Sequence, residues 1–296
     1  MDRRPKWWLD PKCADGRPGA MRWTAVGRSV MMRHDPIPTD EFRPAVEPDV
    51  MPRPGLLAIG AVFVSSLAWV QAAAAQDFAN ERRRMVDDIG ALARETRADV
   101  GKAAFDERVM AVMARVPRHE FVPAGQVGSA YRNRPLPIGH GQTISQPYIV
   151  ALMTDLARAG PGDTVLEVGT GSGYQAAVMA HLVKAVYTIE IIEPLGLQAA
   201  QRLKTMGYAN VEVRVGDGYH GWAEHAPYDA ILVTAAASHI PPPLIRQLKP
   251  GGRMVIPVGG AFATQELMLV EKKPDGTVST RQLMAVRFVP LTGGHD

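Results

Sequence analysis

Residues 165–175 read VLEVGTGSGYQ: an apolar run breaks into three glycines within five positions and then becomes helix-compatible. No other stretch limits the fold as much. Thr164–Val168 is apolar on both alternating sets of positions apart from Glu167, as a strand covered on both faces requires. Gly169, Gly171 and Gly173 permit the positive φ values and close backbone approach that a tight strand-to-helix turn needs. Downstream, helical spacing at Gln175–Val183 leads to a strand at Ala185–Glu190, then a helix at Leu195–Met206 and strands at Val211–Val215 and Ala230–Thr234. A short helix at Pro243–Leu248 passes through Pro250-Gly251-Gly252 into a strand at Arg253–Val258. This alternation predicts an α/β fold, a mostly parallel sheet with helices on both faces. The ending differs. Runs at Glu266–Glu271 and Gln282–Pro290 flank a Pro274-Asp275-Gly276 turn, so the sheet is expected to finish in an antiparallel hairpin.

Upstream, Glu81–Arg94 and Phe105–Arg115 have helical spacing; in the second, Val109, Val112, Met113 and Val116 share a face, and Pro117 stops it. Val116–Pro123 reads as loop. So do residues 139–147, GHGQTISQP, which have no apolar period. Pro147 then opens a helix over Tyr148–Ala157 from its first turn, where a missing N–H is tolerated. A domain is expected over 76–296: a helical part at 81–160, the sheet at 161–260 and the terminal hairpin at 261–296.

Residues 1–54 hold nine of the 24 prolines and three of the five tryptophans without any sustained period. Such a stretch buries too little apolar surface to offset chain entropy, so residues 1–50 are expected to be a disordered extension. Met51–Gly55 then supplies a basic lead, Leu56–Val70 an apolar run, and residues 71–76 the tail QAAAAQ. That is the layout of a secretory signal peptide. Its internal position suggests a true start at Met51, with residues 1–50 an upstream mis-assignment. The alternative is an uncleaved anchor over 56–75, near the roughly twenty residues a membrane span needs.

A single cysteine, Cys13, excludes an intrachain disulfide, and the eight histidines lack metal-ligand spacing, so no metal is expected. With a net charge of +3 and no basic stripe among aromatics, nucleic acid is not an expected partner. Arg82-Arg83-Arg84 reads as a solvated helix face.

The glycine turn, with Glu190 placed 21 positions after Gly169 to receive a ribose diol, suits a nicotinamide dinucleotide and S-adenosylmethionine equally. Glu167 separates them. Beside a diphosphate, at ~5 Å and an effective dielectric of ~20, its carboxylate would be repelled by roughly 3 kcal/mol per charge pair. S-Adenosylmethionine instead brings an ammonium and a sulfonium. The third glycine also comes one residue early for G-x-G-x-x-G. Glu167 could otherwise turn sideways into a helix N-terminus. Asp217, in VGDGY (215–219), suits an adenine amino group or an ordinary Asp-Gly turn.

Nine stretches resemble the protein-L-isoaspartate O-methyltransferase family: VPRHEFVP (116–123), PLPIG (135–139), GQTISQPY (141–148), GTGSGYQ (169–175), VYTIE (186–190), GDGY (216–219), VTAA (233–236), QLKPGGR (247–253) and VRFVPLT (286–292). GQTISQP is specific to that family, whereas the glycine turn is shared by many methyltransferases. The likeness spans residues 81 to 292, and nothing before residue 76 belongs to it. It implies a Rossmann-like class I fold. It also implies transfer of the S-adenosylmethionine methyl group to the free α-carboxylate of L-isoaspartyl residues in damaged peptides and proteins, which starts their repair. By resemblance Ser145 is the active-site serine. Glu167, Gly169, Thr170, Gly171, Ser172, Gly173, Glu190, Asp217 and Gly218 are the cofactor pocket. Thr143, Ile144 and Gln146, with Val289, Pro290 and Leu291, are the substrate side. A cytoplasmic monomer is expected on the same basis, against which the segment from Met51 argues for periplasmic or secreted export.

A carboxyl group with a pKa near ~4 is already ionised at neutral pH, so this chemistry needs no general base. Holding acceptor and donor in line can contribute roughly 7–11 kcal/mol. Ser145, Thr143, Gln146 and loop N–H groups could resolvate the carboxylate. From the residues alone Ser145 is instead a helix cap before Pro147, and His119 and His140 are structural. The rival readings are a dinucleotide-dependent oxidoreductase and a non-catalytic S-adenosylmethionine-binding module.

Overall fold

A computed structural model of the chain describes residues 78–261 and 263–294. The extension expected over 1–50 and the signal-like segment over 51–75 lie outside the described residues. Residues 78–95 form helix α1, followed by α2 (Arg97–Val100) and α3 (Glu107–Arg115). α3 starts two residues later than its spacing suggests because Asp106 caps it, accepting the Arg108 N–H at 2.8 Å. After Pro117 the expected loop contains 3-10 turns at Arg118–Phe121 and Ala124–Ser129.

The GHGQTISQP stretch is a correction. Strands β1 (Leu136–Gly139) and β2 (Gln142–Ile144) pair antiparallel, with Leu136 opposite Ile144. Gly139, His140 and Gly141 make the turn at φ 94°, 53° and 72°. Strands of four and three residues are too short to show the alternation by which a strand is read. Helix α4 (Pro147–Ala157) follows, with Pro147 in its first turn as expected.

The main sheet contains β3 (Thr164–Val168), β4 (Ala185–Glu190), β5 (Val211–Val215), β6 (Tyr228–Val233), β7 (Leu248–Val258), β8 (Gln265–Lys272) and β9 (Val278–Val286). Its order is β5-β4-β3-β6-β7-β8-β9. Pairs from β5 through β7 are parallel, and β8 and β9 are antiparallel, so the expected mixed sheet with a terminal hairpin is present. Helices α5 (Tyr174–Ala180), α6 (Glu193–Thr205) and α7 (Pro242–Gln247) connect the parallel strands. β7 starts earlier than Arg253: Leu248 pairs with Tyr228 and Arg253 with Ala230, so Pro250-Gly251-Gly252 bulges out between them. β9 ends at Val286, and the apolar residues to Pro290 leave the sheet.

The core alternates with period two. Val165, Leu232 and Val255 face one side with Met85, Val112 and Leu152; Leu166, Ile231 and Met254 face the other with Leu244. Each such aliphatic side chain, fully buried, contributes roughly 1.5–3 kcal/mol. The first cluster draws on residues from Met85 to Val286, so the helical part, the sheet and the hairpin share one interior. All eleven residues of α4 are buried, the nine apolar ones by packing and the two polar ones, Thr154 and Asp155, by bonds to Gln175, Lys102 and the Asp106 N–H. Among the described residues no helix is long and apolar enough to cross a membrane.

Chain direction along the sheet reverses at β3, which lies between β4 and β6. In such sheets ligands bind beyond the carboxyl ends of the strands at that reversal.

Candidate active site

The turn after β3 stands at this reversal. Gly169, Gly171 and Gly173 have φ of 98°, 54° and 87°. The Gly169 and Thr170 N–H groups both donate to the Ile189 carbonyl, at 2.8 and 3.1 Å, and the Thr234 hydroxyl donates to the Gly169 carbonyl at 2.6 Å. A Cβ on Gly169 would stand 2.5 Å from that hydroxyl, so the turn is held between β4 and β6 only as glycine. Thr170 and Ser172 are buried; Arg202 donates to the Ser172 carbonyl at 2.9 Å.

Glu167 is completely buried. Its Oε2 accepts the Thr188 hydroxyl at 2.6 Å, so it turns toward β4 and not into a helix N-terminus, and Oε1 has no partner. Burial, helped by the nearby Glu190 carboxylate and opposed by the Thr188 bond, pushes its pKa up to about 8. Glu190 accepts the Gly171 N–H through Oε2 at 2.8 Å and the Ile192 N–H through Oε1 at 3.0 Å. Each oxygen keeps a second lone pair that a ribose hydroxyl could use.

Asp217 takes the turn position that was one of its two readings. Its Oδ1 caps the next turn by accepting the Tyr219 N–H, and its Oδ2 accepts the Gly294 N–H at 3.3 Å, which draws the C-terminal segment across the site. Gly218 is buried beneath it, and a Cβ there would lie 2.5 Å from Val168 Cγ1.

Opposite, β2 carries Thr143 and Ile144 to the same opening, and Ser145 follows directly. Ser145 is not the helix cap. Gln146 occupies that position without a side-chain capping bond, and the Tyr148 N–H is taken by Asn133 Oδ1 at 3.0 Å. Among the described residues no hydrogen bond engages the Ser145 hydroxyl; its carbonyl accepts from Arg118 at 2.7 Å. After β9 the chain runs beside the segment that follows β6: Val289 O accepts from Ala236 N at 2.8 Å, and Leu291 N donates to Ala236 O at 2.7 Å. Buried Gln265 fixes the approach by accepting the Phe288 N–H and donating to its carbonyl.

Together these segments enclose a cleft open to solvent. Thr143, Ile144, Ser145, Glu167, Gly169 to Ser172, Glu190, Gly218 and Val289 to Leu291 all line it. Gly173, Gln146 and Asp217 stand outside its wall. Among the described residues no lysine, arginine or histidine lines it. His140 is exposed in the β1–β2 turn, and His119 stacks on Phe78 at 4.1 Å, both away from the cleft. The sequence reading gave no role to Arg118, Tyr174, Thr188 or Thr234; only the long-range pairing of β3 with β4 and β6 could have placed the last two.

Residues 95–296 match the family model for protein-L-isoaspartate(D-aspartate) O-methyltransferase. The chain is 80% identical over 209 residues to protein-L-isoaspartate O-methyltransferase 2 of Polaromonas sp. strain JS666, a match covering 71% of this chain and 99% of that protein. It is 65% identical over 252 residues to protein-L-isoaspartate O-methyltransferase 1 of Cupriavidus necator, covering 85% and 97%. A solved protein-L-isoaspartate O-methyltransferase superposes with a TM-score of 0.63 at 27% identity, over 72% of this chain and 66% of that one. A Plasmodium falciparum structure of the same description, in complex with S-adenosyl-L-homocysteine, has a TM-score of 0.58 over 71% and 98% of the two chains; at 24% identity it speaks to the fold alone. The strand order, the latched glycine turn and a match across most of the chain agree: this chain belongs to the protein-L-isoaspartate(D-aspartate) O-methyltransferase family.

Proposed function

We propose that the two sides of this cleft divide the family's reaction between them, with the cofactor on the β3–β4 side and the damaged peptide between Ser145 and the C-terminal segment. By family the chain is an S-adenosylmethionine-dependent protein-L-isoaspartate carboxyl O-methyltransferase. The observation that carries the assignment of sides is Glu167 Oε1, a buried carboxyl oxygen without a partner in a cleft that no basic side chain lines. A buried polar group left unpaired is costly, and the missing partner is best supplied by a ligand cation. S-Adenosylmethionine, when bound, supplies that cation and an electrophilic methyl group on a sulfonium.

On this reading Glu167 and Glu190 hold the cofactor's ammonium and ribose, and the Gly169–Ser172 turn admits its close approach. Thr143 and Ser145 replace water around the acceptor carboxylate. Val289, Pro290 and Leu291 border the peptide, which on docking covers the opening and displaces bulk water. No residue is asked to remove a proton, because the acceptor arrives ionised. The reading further proposes a monomer that does not bind nucleic acid. Its compartment is the cytoplasm, where the cofactor is made; export from Met51 is the alternative, and a mature N-terminus at Gln76 would establish it.

The test is incubation with labelled S-adenosylmethionine and two peptides, one isoaspartyl and one aspartyl. Label should enter the isoaspartyl peptide alone. An unlabelled isoaspartyl peptide would refute the reading.

A further inference from the structure

We infer that Arg118 is the cation that makes the acceptor side of the cleft receptive to a carboxylate, acting through the Ser145 segment without touching the substrate. This rests on the function proposed above, which requires an anion to enter. The cleft wall does nothing to invite it: Glu190 lines the wall and no basic side chain does. Arg118 lies directly behind the wall. It is fully buried, and its Nη2 donates to the Ser145 carbonyl at 2.7 Å. Its Nε donates to the Ala130 carbonyl at 2.8 Å, and its guanidinium sits 4.8 Å from the centre of the Tyr174 ring, itself part of the wall.

Two features separate this arginine from a structural tie. None of the ion pairs among the described residues includes Arg118, so its charge is not neutralised. Its guanidinium and the Tyr174 hydroxyl are buried against each other, and neither Nη1 nor that hydroxyl meets any other partner, so no anion answers the charge. A buried guanidinium lacking a counter-charge is strongly disfavoured, and a neutral amide could bridge two carbonyls without that cost. The substrate carboxylate is the countercharge the fold lacks. Placed one residue back, the charge attracts the acid but does not clamp its oxygens, whose lone pairs must attack. Methylation neutralises the acid, so the same charge stops holding the product. Arg202, the other cation bonded to a carbonyl of the cleft wall, meets Ser172 on the cofactor side.

Acid and ester forms of one peptide isolate this effect. Affinities of an isoaspartyl peptide and its α-methyl ester would be measured by calorimetry, with S-adenosyl-L-homocysteine present, for the unaltered protein, Arg118→Gln and Arg118→Lys. At about 7 Å and an effective dielectric of about 20, Coulomb's law corresponds to an attraction on the order of 50-fold in affinity. The acid-over-ester preference should fall by on the order of 10- to 50-fold in Arg118→Gln and be largely rescued in Arg118→Lys, with ester affinity unchanged. A preference that survives Arg118→Gln, or acid and ester affinities that fall together, overturns the inference. Should Arg118→Gln not fold, the unaltered protein still decides. A preference set by a buried charge persists at about 0.5 M salt, and its collapse to parity overturns the inference. If the unaltered protein methylates no isoaspartyl peptide, the proposed function itself fails and takes this inference with it.

Discussion

Replacing Glu167 with glutamine tests the cofactor side through protons. In the unfolded chain this carboxyl ionises near 4.5, whereas burial in the folded protein raises its pKa to about 8. Between those values the folded state keeps a proton that the unfolded chain has lost. Stability from this residue is therefore complete below pH 4.5 and declines as pH rises to about 8. At about 1.4 kcal/mol per pH unit, the full decline is roughly 5 kcal/mol for a group with no exposure. The amide of Glu167→Gln cannot ionise, so the variant should gain on the unaltered protein progressively from about pH 5 to about pH 9 in denaturant titrations. Ligand binding should show the complement. A cation beside Oε1 favours the ionised carboxyl, so at about pH 7 the unaltered protein should release close to one proton more than Glu167→Gln on binding S-adenosyl-L-homocysteine. Calorimetry in two buffers of different ionisation enthalpy measures this, and the difference between proteins cancels titration of the ligand's own amine. Equal proton release, or parallel stability curves over that pH range, would refute the reasoning.

Ser145→Ala removes a cleft hydroxyl that no other described residue holds; kcat should fall on the order of 100-fold, as loss of a positioned donor does, with the affinity for S-adenosyl-L-homocysteine unchanged. Gly218→Ala places a methyl 2.5 Å from Val168 Cγ1 and should cost about 1–3 kcal/mol in chemical denaturation. Gln265→Leu leaves the Phe288 N–H without its acceptor, at about 1–3 kcal/mol; hydrogen exchange should speed up at Phe288 to Leu291 and not in β3.

What the sequence made legible was whatever rests on periodicity. Buried strands such as Thr164–Val168 and amphipathic α3 announce themselves through their neighbours, and the order of helix and strand implied the parallel sheet. The β1–β2 hairpin did not, because its two strands hold seven residues between them with little apolar contrast. Side-chain duties assigned locally also went astray. Ser145 precedes a helix and so resembles a cap, yet Asn133, from outside the helix, takes the Tyr148 N–H. Asp217, open between an adenine partner and an Asp-Gly turn, bonds its own turn and the Gly294 N–H, which its letters could not decide. Arg118 gave no signal at all, since a buried arginine and a surface arginine are the same letter. The cofactor side was the most readable part of the site because Glu167 is a charge where an uninterrupted apolar strand was due.

Helix α4 has no wet side, and Ser145 sits two residues before its first turn. Ordinary surface helices can absorb substitution along their solvent stripe, but here every position from Pro147 to Ala157 is wedged among neighbours. A methylene added or removed along it strains or leaves a gap against packed neighbours, and those small backbone shifts reach Ser145 two residues ahead of the helix. Durability and turnover in this enzyme therefore share the same eleven side chains, so variants selected for heat resistance along this helix should drift in rate as well.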